Sequence, residues 1–259
     1  MNCYIISPLN HLDLMRLGTA GYYCLAHLAY KNKVYKEFFI KLRKKNKYVL
    51  LDNGAAEHSL VTENILISLV KEIKPSIVIA PDVLFDKATT LDNLDRFISR
   101  MASEDLLNKV EIFACPQGNT REEWLECYRE MLCNKYVKVI GLSKIAVPWC
   151  FSKAKNDEHI AEARQICVKY LDNHGLIMKP LHCLGQGSYA EFNYKNPLIR
   201  STDSCYQVYA AINGIEYGVG EFKRIPTTNA YFDTIMTKKQ IKLAKKNIKF
   251  FKRILRKVN

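Results

Sequence analysis

Short runs of apolar, strand-forming residues recur along the chain, each closing on polar or glycine residues: CYIIS (3–7), YYCLAH (22–27), YVLLD (48–52), SIVIAPD (76–82), VEIFACPQG (110–118), VKVIGLS (137–143), LIMKPLHCLG (176–185) and LIRSTDS (198–204). Most are apolar throughout, the pattern of strands buried on both faces. Between most of them lie segments of helical periodicity, such as TENILISLVKEI, LDNLDRFISRMASEDLL and TREEWLECYREMLC. The last opens on Thr120 with Glu123 three residues later, the spacing of a capping box. Buried strands alternating with helices require a parallel sheet covered by those helices. Eight such units in 259 residues predict an α/β fold, a (β/α)8 barrel of the TIM type, with an open doubly wound sheet as the alternative.

A barrel brings the C-terminal ends of its strands to one mouth, where barrel enzymes place their chemistry. Those ends read Asp52, Asp82, Gln117, Gly141 with Ser143 and Lys144, His182 with Gly185 and Gly187, and Asp203. Any one of them is explained by helix capping, for which Asp and Ser are favoured. Three aspartates and a glutamine at four strand ends point instead to a site. The stretch YVLLDNGAAEHS makes the case locally: a carboxylate closing a buried strand is costly unless it is paired, and the small residues after it admit another molecule. His182 reads either as a general base or substrate contact, or as a hydrogen-bonded histidine lining the mouth. His58 has no assignable role. Cys115, Cys183 and Cys205 lie near the expected mouth and read as packing residues, because no activating base can be placed beside them. Trp124 and Trp149 read the same way, with base stacking as a lesser option for Trp149.

Nine cysteines stand singly, with none at metal-clip spacing, and read as reduced thiols. The chain has no apolar run long enough to span a bilayer and no signal-peptide pattern at its start, so a cytoplasmic protein with no membrane partner is expected. Charge is unevenly placed. Ten of the 39 Lys and Arg residues lie from Lys238 onward with no acid among them, and they supply most of the +13 net charge. Ile241, Ala244, Ile248, Phe251, Leu255 and Val258 fall on one helical stripe there. Lys242, Lys245, Lys246, Lys249, Lys252, Arg253 and Arg256 cover much of the remainder. The expected organisation is a barrel over 1–237 and a basic amphipathic helix over 238–259, its apolar stripe on the barrel and its cations toward phosphates. A solvated helix without a partner, or one lying on an anionic membrane surface, are the competing readings. Lys41, Arg43, Lys44, Lys45 and Lys47 form a second basic cluster that would extend the track.

The order of these strand ends resembles the tRNA-guanine transglycosylase superfamily, which includes phage enzymes that put 7-deazaguanines into DNA. LLDNGAAE is similar to the family's Asp followed by a small, Gly-rich turn, and IAPD to its base-recognising Asp. CPQGNTREEW resembles its Gln-Gly pair, VIGLSK its Gly-Leu strand end, LHCLGQG its Gly-containing turn, and RSTDSCYQ its last strand. The resemblance implies Asp203 as nucleophile, Asp52 as general acid and base, and Asp82, Gln117, Gly141, Leu142 and Gly185 around the base, with Ser143, Lys144 and His182 as further contacts. The family's zinc site has no counterpart, so no metal and no cofactor are expected. Its Gly-Glu after the Gly-Leu strand end is also absent, and Lys144 and Ile145 stand in that region. A compact, zinc-less chain is more similar to the phage DNA enzymes, which would put it in the host cytoplasm.

The implied reaction exchanges guanine in DNA for a free 7-deazaguanine base such as preQ0, through a covalent aspartyl intermediate. The target base would be flipped from its stack. Exchange on tRNA, hydrolysis of a base or nucleoside by the same carboxylates, and noncatalytic nucleic-acid binding are the rival functions. The oligomeric state stays open.

Overall fold

The computed structural model describes residues 1–55, 61–152, 160–186, 197–217 and 229–258. Among them, eight parallel strands form one sheet in the order β1-β8-β7-β6-β5-β4-β3-β2. They are β1 (Asn2–Ile5), β2 (Tyr22–Leu25), β3 (Val49–Asp52), β4 (Ile77–Ile79), β5 (Glu111–Ala114), β6 (Val137–Leu142), β7 (Leu181–Cys183) and β8 (Ile199–Ser204). Each falls within one of the eight apolar runs or overlaps all but its first residue. The sheet curls into a nearly closed TIM-type barrel. The β1–β2 seam carries no ladder: Thr19 and Ala20 donate to the Cys3 carbonyl at 2.8 and 3.0 Å, and the Thr19 hydroxyl accepts the Cys3 N–H at 2.9 Å. The connection between the two strands thus satisfies an edge that would otherwise be open.

The helices are α1 (Ala26–Lys31), α2 (Lys33–Lys44), α3 (Glu63–Ile73), α4 (Lys87–Ser103), α5 (Arg121–Cys133), α6 (Ala146–Phe151), α7 (Ile160–Asn173), α8 (Tyr206–Ile212), α9 (Asn229–Phe232) and α10 (Lys238–Val258), with a 3-10 segment at Leu9–Leu17. Their starts follow from side-chain caps. Thr62 accepts the Ile65 N–H, Asp86 accepts the Thr89 N–H, and Thr120 accepts the Glu123 N–H at 3.2 Å. The Glu123 carboxylate reaches back to the Asn119 N–H at 2.8 Å, one residue earlier than a capping box would have it. Apolar faces of these helices meet the outward side chains of the strands in a continuous core that includes Leu66, Val70, Phe97, Trp124 and Tyr128. No helix among the described residues is long and apolar enough to cross a membrane.

Helix α10 packs along α8, with Ala244, Ile248, Phe251 and Leu255 buried. The Val258 side chain lies outside the described residues. Lys242, Lys245, Lys246, Lys249, Arg253 and Arg256 are exposed, Lys252 is half-buried, and Lys246 pairs with Glu216 at 2.6 Å. The second basic cluster sits where α2 ends and β3 begins, which is the N-terminal end of the strands and the face opposite the mouth. Arg43 is engaged there, donating to the Lys74 and Lys47 carbonyls. That cluster therefore does not extend a track across the mouth.

Candidate active site at the barrel mouth

The strand ends converge on a cavity of about 50 Å3 lined by Asp52, Asp82, Cys115, Ser143, Lys144, Gly185 and Asp203, with Ile6, Tyr23, Ile79 and Leu84 among its apolar walls. One buried water needs about 10–15 Å3. Carboxylates from β3, the β4 end and β8 thus share one cavity. Beneath it the barrel interior is aromatic: Tyr4, Tyr23 and Phe113 surround His182, with ring centroids 5.8, 6.5 and 5.4 Å from the imidazole.

On one side of the mouth, Asp82 is buried and clamped. Asn53 donates its Nδ2 to Oδ1 and Gln117 its Nε2 to Oδ2, both at 2.6 Å. Both amides are locked from behind, because a backbone N–H can only donate and so fixes the amide oxygen toward itself. Ala55 N–H donates to Asn53 Oδ1 at 2.9 Å, and Phe85 N–H to Gln117 Oε1 at 3.2 Å. Burial pushes the Asp82 carboxyl up to about 6, against the opposing pull of the two amide donors. Phe85 is held at φ 65°, a conformation that costs a bulky residue on the order of 1–3 kcal/mol. Its ring packs on Trp149 at 4.9 Å, and the Trp149 indole N–H is spent on Asn119.

Across the mouth, Asp203 is held by one oxygen. Its Oδ1 accepts the Gly185 N–H at 2.9 Å and meets His182 Nε2 at 3.0 Å, while His182 Nδ1 lies 2.8 Å from the Ser201 hydroxyl. Among the described residues nothing donates to Oδ2. The turn that presents Gly185 is tied down on both flanks. Arg164 of α7 donates to the Leu184 carbonyl, Gln186 N–H to the Asp203 carbonyl at 2.8 Å, and the Ser204 hydroxyl to the Gln186 carbonyl at 2.9 Å. Gly185 has φ 64°, and a Cβ there would come 2.4 Å from Lys144 Cδ.

Other expected residues fall into place less directly. The Ser143 hydroxyl accepts the Ile145 and Ala146 N–H groups at 3.0 and 3.2 Å where the chain enters α6. Gly141 and Leu142 are not on the cavity wall: a Cβ at Gly141 would come 2.5 Å from the Phe113 ring, and the Leu142 carbonyl accepts the Leu184 N–H. Gln117 and His182 act from behind the wall, through Asp82 and Asp203. Cys115 lines the cavity, its thiol lies against the Gly141 carbonyl and the Gln117 amide, and burial pushes its pKa well up, which keeps it protonated. His58 and Gly187 lie outside the described residues. Among the described residues no group of three or more His, Cys, Asp or Glu side chains is arranged to hold a metal ion.

Sequence reasoning missed Asn53, Phe85, Arg164 and a buried polar chain behind the site. In that chain Gln186 donates to the Tyr217 hydroxyl, Gln207 to Gln186, and Asn247 of α10 to the Gln207 and Ile215 carbonyls while accepting the Tyr217 N–H. Asn247 interrupts an otherwise apolar stripe, and that is the signal that marks it.

Fold and site together define a TIM-type barrel whose mouth is lined by three carboxylates. No protein-family model and no curated protein matches this chain.

Proposed function

We propose that the protein is a base-exchanging transglycosylase that replaces guanine in DNA with a 7-deazaguanine such as preQ0. The observation that carries this reading is Asp203, whose Oδ1 is anchored while Oδ2 is left without a donor among the described residues, in a cavity shared with two other carboxylates. A nucleophile needs one lone pair uncommitted and a fixed direction of approach, and the anchoring of Oδ1 supplies the second.

In the proposed reaction, Oδ2 attacks the sugar C1′ as the bond to guanine N9 breaks, through an oxocarbenium-like transition state. The bonding electrons leave with guanine, which takes up a proton from Asp52. The sugar is then esterified to Asp203. Asp52, now ionised, removes the N9 proton of the incoming 7-deazaguanine, whose nitrogen attacks C1′ and releases the Asp203 carboxylate. Asp82, fixed by Asn53 and Gln117, offers its remaining lone pairs to the N–H edge of the base. The exposed cations of α10 are the proposed contacts to the DNA backbone.

The test is incorporation of labelled guanine, then of labelled preQ0, into duplex DNA and tRNA by the purified protein. Label entering DNA, and lost in Asp203→Ala, is the expected result. Entry into tRNA alone would move the protein to the RNA branch, and base release without incorporation would make it a hydrolase.

A further inference from the structure

Three half-buried lysines elsewhere in this molecule have acceptors, whereas Lys252 on the outer helix α10 has none among the described residues. Lys36 pairs with Glu72, Lys87 with Glu126, and Lys179 donates to the Met131 and Asn134 carbonyls. Lys144 is half-buried too and lines a cavity with three aspartates, yet it has no ion pair or hydrogen bond among the described residues. It is not a loose surface side chain. The hydroxyl of the preceding Ser143 accepts the Ile145 and Ala146 N–H groups at the start of α6, which fixes the backbone beside it, and the stem lies in the space left by the missing side chain of Gly185. An ideal Cβ on Gly185 would come 2.4 Å from Lys144 Cδ and 3.0 Å from Nζ. The N–H of that same glycine anchors Asp203. The ammonium therefore lies beside the turn that anchors Asp203.

We infer that Lys144 receives a phosphate of the substrate, the phosphodiester next to the sugar attacked by Asp203. This rests on the proposed reaction, in which C1′ of the sugar must lie over Asp203; the anion nearest that sugar is its own backbone phosphate. A compact ammonium on a positioned stem suits such a group as a point charge. The consequence is selection for a nucleotide within a strand over a free nucleoside, which carries no such charge.

The experiment titrates a fluorescein-labelled duplex bearing a single guanine with full-length wild type, Lys144→Gln and Lys144→Arg. Each is repeated on duplexes in which a phosphodiester flanking the guanine is an uncharged methylphosphonate. Lys144→Gln is expected to weaken binding about tenfold or more, the usual effect of losing a hydrogen bond to a charged group. A methylphosphonate on one side should weaken wild type similarly and Lys144→Gln no further, and Lys144→Arg should recover most of the loss. Unchanged binding by Lys144→Gln, or losses that add in full, would overturn the assignment. So would a raised KM for the free base with duplex binding unmoved, which would give the ammonium to the base. Labelled-guanine exchange run in parallel separates the two ideas: absent exchange with the binding loss intact removes the reaction and keeps the phosphate contact.

Discussion

Asp82 and Asp203 are the same residue type on the wall of one cavity, and the molecule treats them in opposite ways. Asp82 has a donor on each oxygen, both from side-chain amides that backbone N–H groups lock in place. Asp203 has both of its donors among the described residues on one oxygen. The first arrangement leaves a carboxylate suited to holding a partner still. The second leaves a fixed but uncommitted lone pair, suited to forming a bond. Distribution of donors, more than position on the sheet, separates a recognition carboxylate from a reactive one.

That contrast can be broken at four places. The largest effect belongs to Asp203→Asn, which keeps the size and the Gly185 contact but removes the nucleophile; exchange should fall by at least about a thousandfold while thermal stability changes little. Next comes Asp82. Its folded carboxyl is raised from 3.8 to about 6, so folding favours the protonated form. The stability it contributes is complete below about pH 4 and is lost as pH rises to about 6, a total of roughly 3 kcal/mol. Urea unfolding across that window should show the slope in wild type and lose it in Asp82→Asn. A third change, Gln117→Ala, strips one donor from the buried carboxylate, and should cost about 1–3 kcal/mol at neutral pH while moving the Asp82 titration further up. NMR titration of the carboxyl reads that shift directly. Smallest is Ser201→Ala, which removes the hydroxyl behind His182 and should cost about 1 kcal/mol with a modest fall in exchange rate.

Much of the fold was legible because burial on both faces leaves an unmistakable mark: every apolar run contains a strand. The runs overstated strand length where the chain turns to build the site. VEIFACPQG yields a strand only to Ala114, since Cys115 to Gly118 bend away to carry Gln117 behind Asp82. LIMKPLHCLG yields only Leu181–Cys183, because Pro180 lacks an N–H for the ladder and Lys179 is drawn off to the Met131 and Asn134 carbonyls. The carboxylates of the site were legible as strand ends. Their partners were not, because pairs such as Asn53 with Asp82 or His182 with Asp203 are set by strand register and barrel curvature, which leave no local period in the sequence. Lys144 illustrates the limit: its charge is plain in the sequence, whereas its lack of an acceptor among the described residues is a property of the folded mouth.

Capture of the covalent intermediate tests the role of Asp203 most directly. Wild type, Asp203→Asn and Asp52→Asn are incubated with guanine-containing duplex in the absence of free base, denatured, and resolved by gel and peptide mass. The expected product is a DNA-linked protein whose sugar is esterified to Asp203, absent in Asp203→Asn. An adduct that survives in Asp203→Asn, or one mapped to Asp52, would contradict that role.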